Sequence, residues 1–273
     1  MFKKVAIVAG LSMLAAGTAN ADYRWELGAS YAGGDVETDT LDGDRDSYNF
    51  QGKFFLDRVD TSKGPLGEAE FLDRASYIQL DYGTGELDRD HGDEDDIDSY
   101  QVKGRYVHKA TGWMADLNYR VDDFEEDDLD SYGVGVGKYL GENTTLMLTY
   151  EHAEFDDADD IEADVWGLNV EHLFSFGNGM SLKLSGGYSY VDTDYGDDGD
   201  KYSLAGTYYF NDRIGFGASY EVLDAEDQLD SWKVYADVFV TEQVLFTVSY
   251  GDSELDDYNF DSDEFLVGIK YRF

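Results

Sequence analysis

The sequence predicts an all-β protein, a transmembrane antiparallel up-and-down β-barrel of about 14 strands with 12 or 16 as the alternatives. Three observations predict it. Segments of about 10–12 residues present one apolar and one polar face, the length a tilted strand needs to cross a bilayer and twice that of a usual globular strand. Aromatic residues gather at both ends of the apolar faces, as at the two interfaces of a membrane barrel. The connections alternate between long acidic loops and short turns. Alternation by itself is shared with soluble sandwiches, which also bury one face of each strand.

The amino terminus stands apart from this rhythm. Residues 1–21 read as a cleaved signal peptide: Lys3 and Lys4 form a charged start, Val5 to Ala16 an apolar stretch, and Ala19, Asn20 and Ala21 a small-residue cleavage site. The apolar stretch is too short for a spanning helix, which needs about 20 residues. Residues 22–273 form one barrel domain. Export without cysteine means that no disulfide frame supports it. Sixty acidic residues face 20 basic ones, yet 15% aromatic content argues against disorder, since disordered chains are poor in aromatic and β-branched residues.

Strand cores are expected near 23–33, 47–58, 71–83, 98–108, 112–121, 130–140, 144–153, 163–174, 180–191, 200–210, 213–223, 230–240, 243–251 and 264–273. The dyad pattern is clear in 113–121, where Trp113, Ala115, Leu117, Tyr119 and Val121 oppose Met114, Asp116, Asn118 and Arg120. The third and eighth segments are the least regular. Tyr31, Tyr82, Tyr119, Tyr150, Trp166, Tyr220 and Trp232 lie beside acidic loops, and Trp25, Phe54, Tyr106, Trp113 and Phe210 near the opposite ends. No segment is apolar for long enough to form a transmembrane helix.

Seven longer loops, 35–46, 86–98, 122–130, 154–164, 192–200, 224–230 and 252–264, hold 44 of the 60 acids. Six intervening turns, near 59–70, 109–111, 141–143, 175–179, 211–213 and 241–243, hold only Asp60, Glu68, Glu70, Glu142, Asp212 and Glu242. Long loops on one side and short turns on the other place the loops outside and both termini on the periplasmic side.

Fourteen strands spaced about 4.8 Å apart and tilted about 40° give a backbone diameter of roughly 28 Å, wide enough for a water-filled lumen. The polar faces supply the pore-lining candidates: Arg24, Glu26, Lys53, Asp57, Asp81, Lys103, Arg105, Asp116, Arg120, Glu151, Glu171, Lys183, Glu221, Lys233, Asp237, Lys270 and Arg272. Nine are basic and eight acidic, so the wall is nearly balanced while the outer rim is strongly negative. Opposed charges suit a channel field, and equally an inter-strand ion-pair ladder. Inward Gly133, Gly135, Gly137, Gly215 and Gly217 widen the lumen or permit tight curvature.

The carboxyl terminus resembles the assembly signal of Gram-negative outer-membrane barrels: Phe265, Val267, Ile269 and Tyr271 alternate up to a terminal Phe273. The whole mature chain resembles the putative general porins and is similar in size to monomeric fourteen-stranded porins. The resemblance implies localisation in the Gram-negative cell outer membrane and recognition of the last strand by the insertion machinery. Trimeric general porins differ: they have sixteen strands and a long third loop folded inward, where this chain has only residues 122–130. A monomer is therefore favoured.

The function expected is a porin for passive diffusion of small hydrophilic solutes or ions, mildly cation-selective through its acidic loops, with no long plugging segment. The alternative is a structural or adhesive barrel with a closed lumen, whose loops bind cations, lipopolysaccharide or a partner. Outer-membrane lipid is a partner in both readings, and the negative charge excludes nucleic acid. No enzyme is expected, because His91, His108, His152 and His172 share no nucleophile and orienting group. No cofactor is expected. The Asp-rich loops lack the spacing of a twelve-residue calcium loop, so no metal site is assigned.

Overall fold

The computed structural model describes residues 22–38, 42–89, 95–124, 127–155, 162–194, 198–225, 228–255 and 260–273. The expected signal peptide, 1–21, and the remaining loop tips lie outside the described residues. Fourteen strands form a closed antiparallel barrel: Tyr23–Glu37 (β1), Asp42–Val59 (β2), Tyr77–Arg89 (β3), Asp95–Val107 (β4), Trp113–Phe124 (β5), Asp127–Tyr139 (β6), Thr144–Phe155 (β7), Glu162–Ser175 (β8), Ser181–Thr193 (β9), Gly199–Asn211 (β10), Ile214–Asp224 (β11), Gln228–Phe239 (β12), Val244–Leu255 (β13) and Phe260–Arg272 (β14). Each strand pairs with its neighbours in sequence, and β1 pairs with β14. Closure leaves no unpaired edge, the condition for β-structure in hydrocarbon.

The carboxyl terminus closes this seam. Phe273 N–H donates to the Trp25 carbonyl at 2.9 Å, and the Arg24 and Trp25 N–H groups donate to the Phe273 carbonyl at 2.8 and 2.9 Å. The dyad pattern holds around the ring. Trp113, Leu117 and Tyr119 of β5 and Tyr202, Leu204 and Phe210 of β10 are exposed on the lipid side.

Two features depart from the expectation. The strands run beyond the expected cores into the acidic stretches; Asp35 to Glu37, for example, pair with Asp42 to Asp44. Acid–apolar–acid runs such as Asp96-Ile97-Asp98 keep the two-residue period, and ladder pairing satisfies their backbone groups. The second departure is larger. Residues 59–70 form no simple turn and β3 starts at Tyr77 rather than 71: the stretch from Asp60 to Ser76 folds into the periplasmic end of the barrel as a plug.

Two 3-10 turns, Thr61–Lys63 and Leu66–Glu68, lead into one helical turn, Ala69–Leu72 (α1). Asp60 caps the first, accepting from Ser62 N–H at 2.9 Å. Pro65, the only proline in the chain, is fully buried between the two turns, with the fixed φ suited to a chain reversal. The buried apolar residues gather here in three clusters. Ala69 and Ala75 pack with Tyr23, Phe55 and Val59; Phe71 packs with Val107, Met114, Tyr139, Met147 and Leu173; Leu66 packs with Phe239 and Leu245. The plug thus touches the wall all the way round, and burying Leu66 and Phe71 contributes about 1.5–3 kcal/mol each.

Candidate functional site

The site is the lumen above this plug. Alternation along each strand places Glu26, Lys53, Asp81, Lys103, Arg105, Asp116, Arg120, Glu151, Glu171, Lys183, Glu221, Lys233, Asp237, Lys270 and Arg272 on the inner face, most of them lining lumen cavities. Three lumen cavities have volumes of about 400, 420 and 500 Å³. One is walled by Glu26, Gln51, Lys53, Asp237 and Lys270 and floored by Gly67 and Glu70 of the plug. The second is a hydroxyl and amide face, Thr145, Thr149, Asn169, Ser185, Ser203 and Ser219, set between Asp116, Glu171 and Glu221.

Most of the wall charges meet an opposite charge across a strand boundary. Arg105 holds Asp116 in a two-point bond of 2.9 and 2.6 Å. Lys201 pairs with Glu221 at 2.7 Å, and Glu264 receives Arg45 at 2.9 Å and Lys233 at 3.4 Å. Arg120 grips Asp122, two residues along its own strand, at 2.7 Å through both nitrogens. Arg45 and Asp122 fall within stretches expected to be loop, and only the extension of β2 and β5 puts them on the wall; Glu264 opens the expected strand 264–273, with the parity of Lys270 and Arg272. Lys201 has the same parity as Ser203 and Thr207, a signal legible in the sequence.

Two expected positions are corrected. The pairing of β1 with β2 shifts between Tyr23 and Trp25. A bulge of this kind reverses the facing of a side chain. Tyr23 therefore turns inward beneath the plug, packed edge-on to Phe55 at 5.2 Å. Arg24 turns away, its guanidinium 4.9 Å over Phe54 and donating to the Phe55 and Leu56 carbonyls at 3.1 and 2.8 Å. Asp57 lies in the same shifted stretch, beyond the last β2–β3 pair, and is exposed. Gly217 is filled rather than open: a Cβ there would lie 2.1 Å from the Tyr235 ring, which rests on this position while its hydroxyl bonds Thr207 at 2.6 Å.

Charge and hydrogen bonds latch the plug to the wall. Glu68, buried, bonds Lys183 at 2.9 Å and accepts from the Tyr209 hydroxyl at 2.7 Å. Glu70 bonds Lys53 at 3.0 Å. The Leu66 carbonyl accepts from Arg272 at 2.8 Å, and Leu66 N–H donates to the Asp212 carbonyl at 2.8 Å. The Tyr139 hydroxyl donates to the Phe71 carbonyl at 3.0 Å. On the periplasmic side, Asp73 takes Lys109 at 3.0 Å together with Lys63, and Arg74 donates to the Lys109 and Gly141 carbonyls at 3.0 and 2.6 Å. Arg74 has a left-handed backbone, φ 53°, a strain these bonds and its stacking on Tyr139 offset.

One latch is pH-dependent. Burial pushes the Glu70 carboxyl up, but Lys53 outweighs burial and holds it below its usual value of 4.5. A lowered folded-state pKa gives stability that is complete above about pH 4.5 and lost as pH falls through the folded value. Plug accessibility, read by cysteine labelling at Ala69→Cys from the short-turn side, should therefore stay constant from neutral pH down to about 4.5 and rise as pH falls further. In Glu70→Gln, that acid-induced step should shrink.

At the extracellular end, tyrosine hydroxyls on the outer surface donate to aspartates: Tyr150 to Asp164 at 2.8 Å, Tyr188 to Asp200 at 2.7 Å and Tyr220 to Asp230 at 2.8 Å. The rings lie at the apolar boundary and the carboxylates stand in water, the arrangement an interfacial girdle requires. The carboxylates of Asp252, Glu254 and Asp261 come within 4.8 Å of one another. His152 bonds Asp164 at 2.8 Å on this outer surface, His108 bonds Thr111 and His172 bonds Thr144; among the described residues no histidine joins a hydroxyl to a carboxylate. His91 lies outside the described residues.

Residues 2–165 match the model of a family described as putative general bacterial porin. Among solved structures, the chain is similar to the outer membrane protein Omp33 of Acinetobacter baumannii at 19% identity and TM-score 0.67, over 93% of this chain and 100% of that one. It is also similar to a bacterial polysaccharide outer membrane secretin, at 10% identity and TM-score 0.51 over 92% and 99% of the two chains. At these identities the likeness concerns the fold. No curated protein sequence matches the chain.

Proposed function

The chain belongs to the family of putative general bacterial porins, an outer-membrane β-barrel, and from that premise we propose that it is a gated channel for small hydrophilic solutes and ions with a preference for cations. The observation that carries the proposal is the wall above the plug, charged and hydroxyl-bearing around cavities of about 400–500 Å³. A barrel built only to hold loops has no need of a wet interior, because removing charges from water is costly. The cation preference follows from the acids concentrated at the outer rim, which raise the local concentration of counter-ions. Passage to the periplasm requires the Asp60–Ser76 plug to move. The terminal strand ending at Phe273 would be the part read by the insertion machinery. The barrel acts without catalysis, its histidines serving in turns and at the interface.

The experiment is current through the refolded mature protein in a planar bilayer under a salt gradient. Stepwise conductance with a cation-side reversal potential is the expected result. In the triple variant Asp123→Asn, Asp128→Asn, Asp130→Asn, the reversal potential should move toward zero, and the difference from wild type should fade near 1 M salt, where the screening length is about 3 Å. The plug favours a second reading, a closed barrel whose acidic loops are the functional surface. No current from folded protein, even with the plug excised, would select it.

A further inference from the structure

The lumen cavity of about 420 Å³ differs from the charged one across from it. Its wall on β7 to β11 carries Thr149, Asn169, Ser185, Ser203 and Ser219, one hydroxyl or amide on each strand. All five face inward and stay partly exposed. Elsewhere on the wall polar side chains satisfy one another: Gln101 donates to Asn118 at 2.7 Å, Gln79 to Asp81 at 2.8 Å and Thr247 to Asp237 at 2.6 Å. Among the described residues, none of the five side chains on this arc hydrogen-bonds to another residue, and neither does Ser189 beside them.

Glycine brings these groups together. Gly167 lies in register between Thr149 and Ser189, and a Cβ on it would stand 2.4 Å from Thr149 Oγ1 and 3.0 Å from Ser189 Oγ. Gly187 lies between Asn169 and Ser203, where a Cβ would stand 2.5 Å from Asn169 Oδ1 and 2.6 Å from Ser203 Oγ. At each glycine two polar side chains lean into the space a Cβ would take. The two glycines are diagonal neighbours on β8 and β9, about 7 Å apart. Four polar groups therefore converge over a span comparable with the width of one hexose.

The charges that border the cavity are already matched. Asp116 is held by Arg105 at 2.6 Å, Glu221 by Lys201 at 2.7 Å and Glu171 by Lys183 at 3.7 Å. A charged solute would give up water here without gaining a free opposite charge. A hydroxyl both donates and accepts. The complement of this arc is an uncharged solute that does the same at several adjacent atoms. Toward the plug, the partly exposed Tyr235 ring lies over Gly217, two residues from Ser219, fixed by its bond to Thr207. It offers a flat apolar surface of the kind that the C–H face of a sugar ring packs on.

We propose that the β7–β11 arc is a binding subsite for uncharged polyhydroxylated solutes, sugars of one or two rings. The cavity is within the size range of small-molecule sites. This rests on the channel reading and names a solute class for it. Ions answer to the rim charges, whereas the sugar is held by the hydroxyls and the amide of the wall.

The test uses the whole folded protein in phospholipid nanodiscs and saturation-transfer NMR titration, with the signal of empty nanodiscs subtracted. The probes are glucose, glucuronate (the same ring with a carboxylate) and glucosamine at about pH 6, where its amine is charged. Glucose should bind about tenfold tighter than either charged sugar, because the arc has no free charge to replace their lost water. Asn169→Leu/Ser203→Ala should weaken glucose binding about tenfold, as expected for the loss of two hydrogen bonds. If that pair does not fold, Ser185→Ala/Ser219→Ala on the same arc serves in its place. No saturable glucose signal from folded protein would overturn the proposal. Equal binding of a charged sugar, or undiminished glucose binding in the folded variant, would overturn it too. Binding is read at equilibrium without current, so its failure is separable from failure of the channel reading, which the bilayer assay decides on the same protein.

Discussion

Excising residues 61–75 and joining Asp60 to Ser76 through a Gly-Asn-Gly turn will raise single-channel conductance about tenfold or more, because it removes the septum rather than narrowing or widening a pore. The barrel should survive. Its strand ladder closes independently of the plug, through β1 and β14 at the seam. The excision removes Glu68, Glu70 and Asp73 with Lys63 and Arg74, and it leaves Lys53 and Lys183 without their plug partners. Cation preference should therefore weaken in the same variant even as current rises. Leu66→Ser/Phe71→Ser is the milder form: it keeps every ionic latch and removes two of the apolar anchors, so brief openings should appear on a mostly closed baseline. Unchanged conductance in the excised protein would show that the plug does not limit flow.

The second large effect is expected at the seam. Glu26 and Arg272 face each other in register across β1 and β14, with the Arg272 Nε 2.6 Å from the Glu26 carboxylate and Lys270 at 3.6 Å. Both side chains are almost wholly buried, 2% and 7% exposed. Arg272 also lies 4.7 Å over Tyr23 and 4.8 Å over Phe239, and reaches the plug at the Leu66 carbonyl. Glu26→Leu strands a buried guanidinium and should cost about 3–5 kcal/mol in denaturant unfolding of the vesicle-folded protein. Glu26→Leu/Arg272→Leu should recover much of that loss, since a buried pair is often replaced by apolar residues at small cost. Should the double variant be as unstable as the sum of the singles, the two side chains act independently and the seam pair is not the source of the effect.

The plug is the part of the fold least legible in the sequence. The stretch 59–70 stood out as the longest of the turns and carried the only proline, but turn composition reports that a chain reverses and says nothing of whether it folds outward or inward. Two glutamates there read as ordinary periplasmic charges. Their roles arise from Lys183, more than a hundred residues away, and from Lys53 across the lumen. Arg24 departs from the expected inward position for a local reason: strict alternation fails between Tyr23 and Trp25, where the ladder slips. Arg45 and Asp122 lie in stretches whose acidic composition reads as loop, although Val36, Ile97 and Phe124 in such stretches keep the strand period.

The sequence by itself determined the barrel, the lipid-facing residues and most of the charged wall. These follow from a period of two residues sustained over every strand, and that period is a local property of the chain. The tertiary structure alone decided which wall charges pair and that the Asp60–Ser76 segment packs into one end of the barrel. Each of these depends on strand register and on which segments meet across the lumen, and such meetings join residues far apart in the chain whose own neighbours carry no record of the contact.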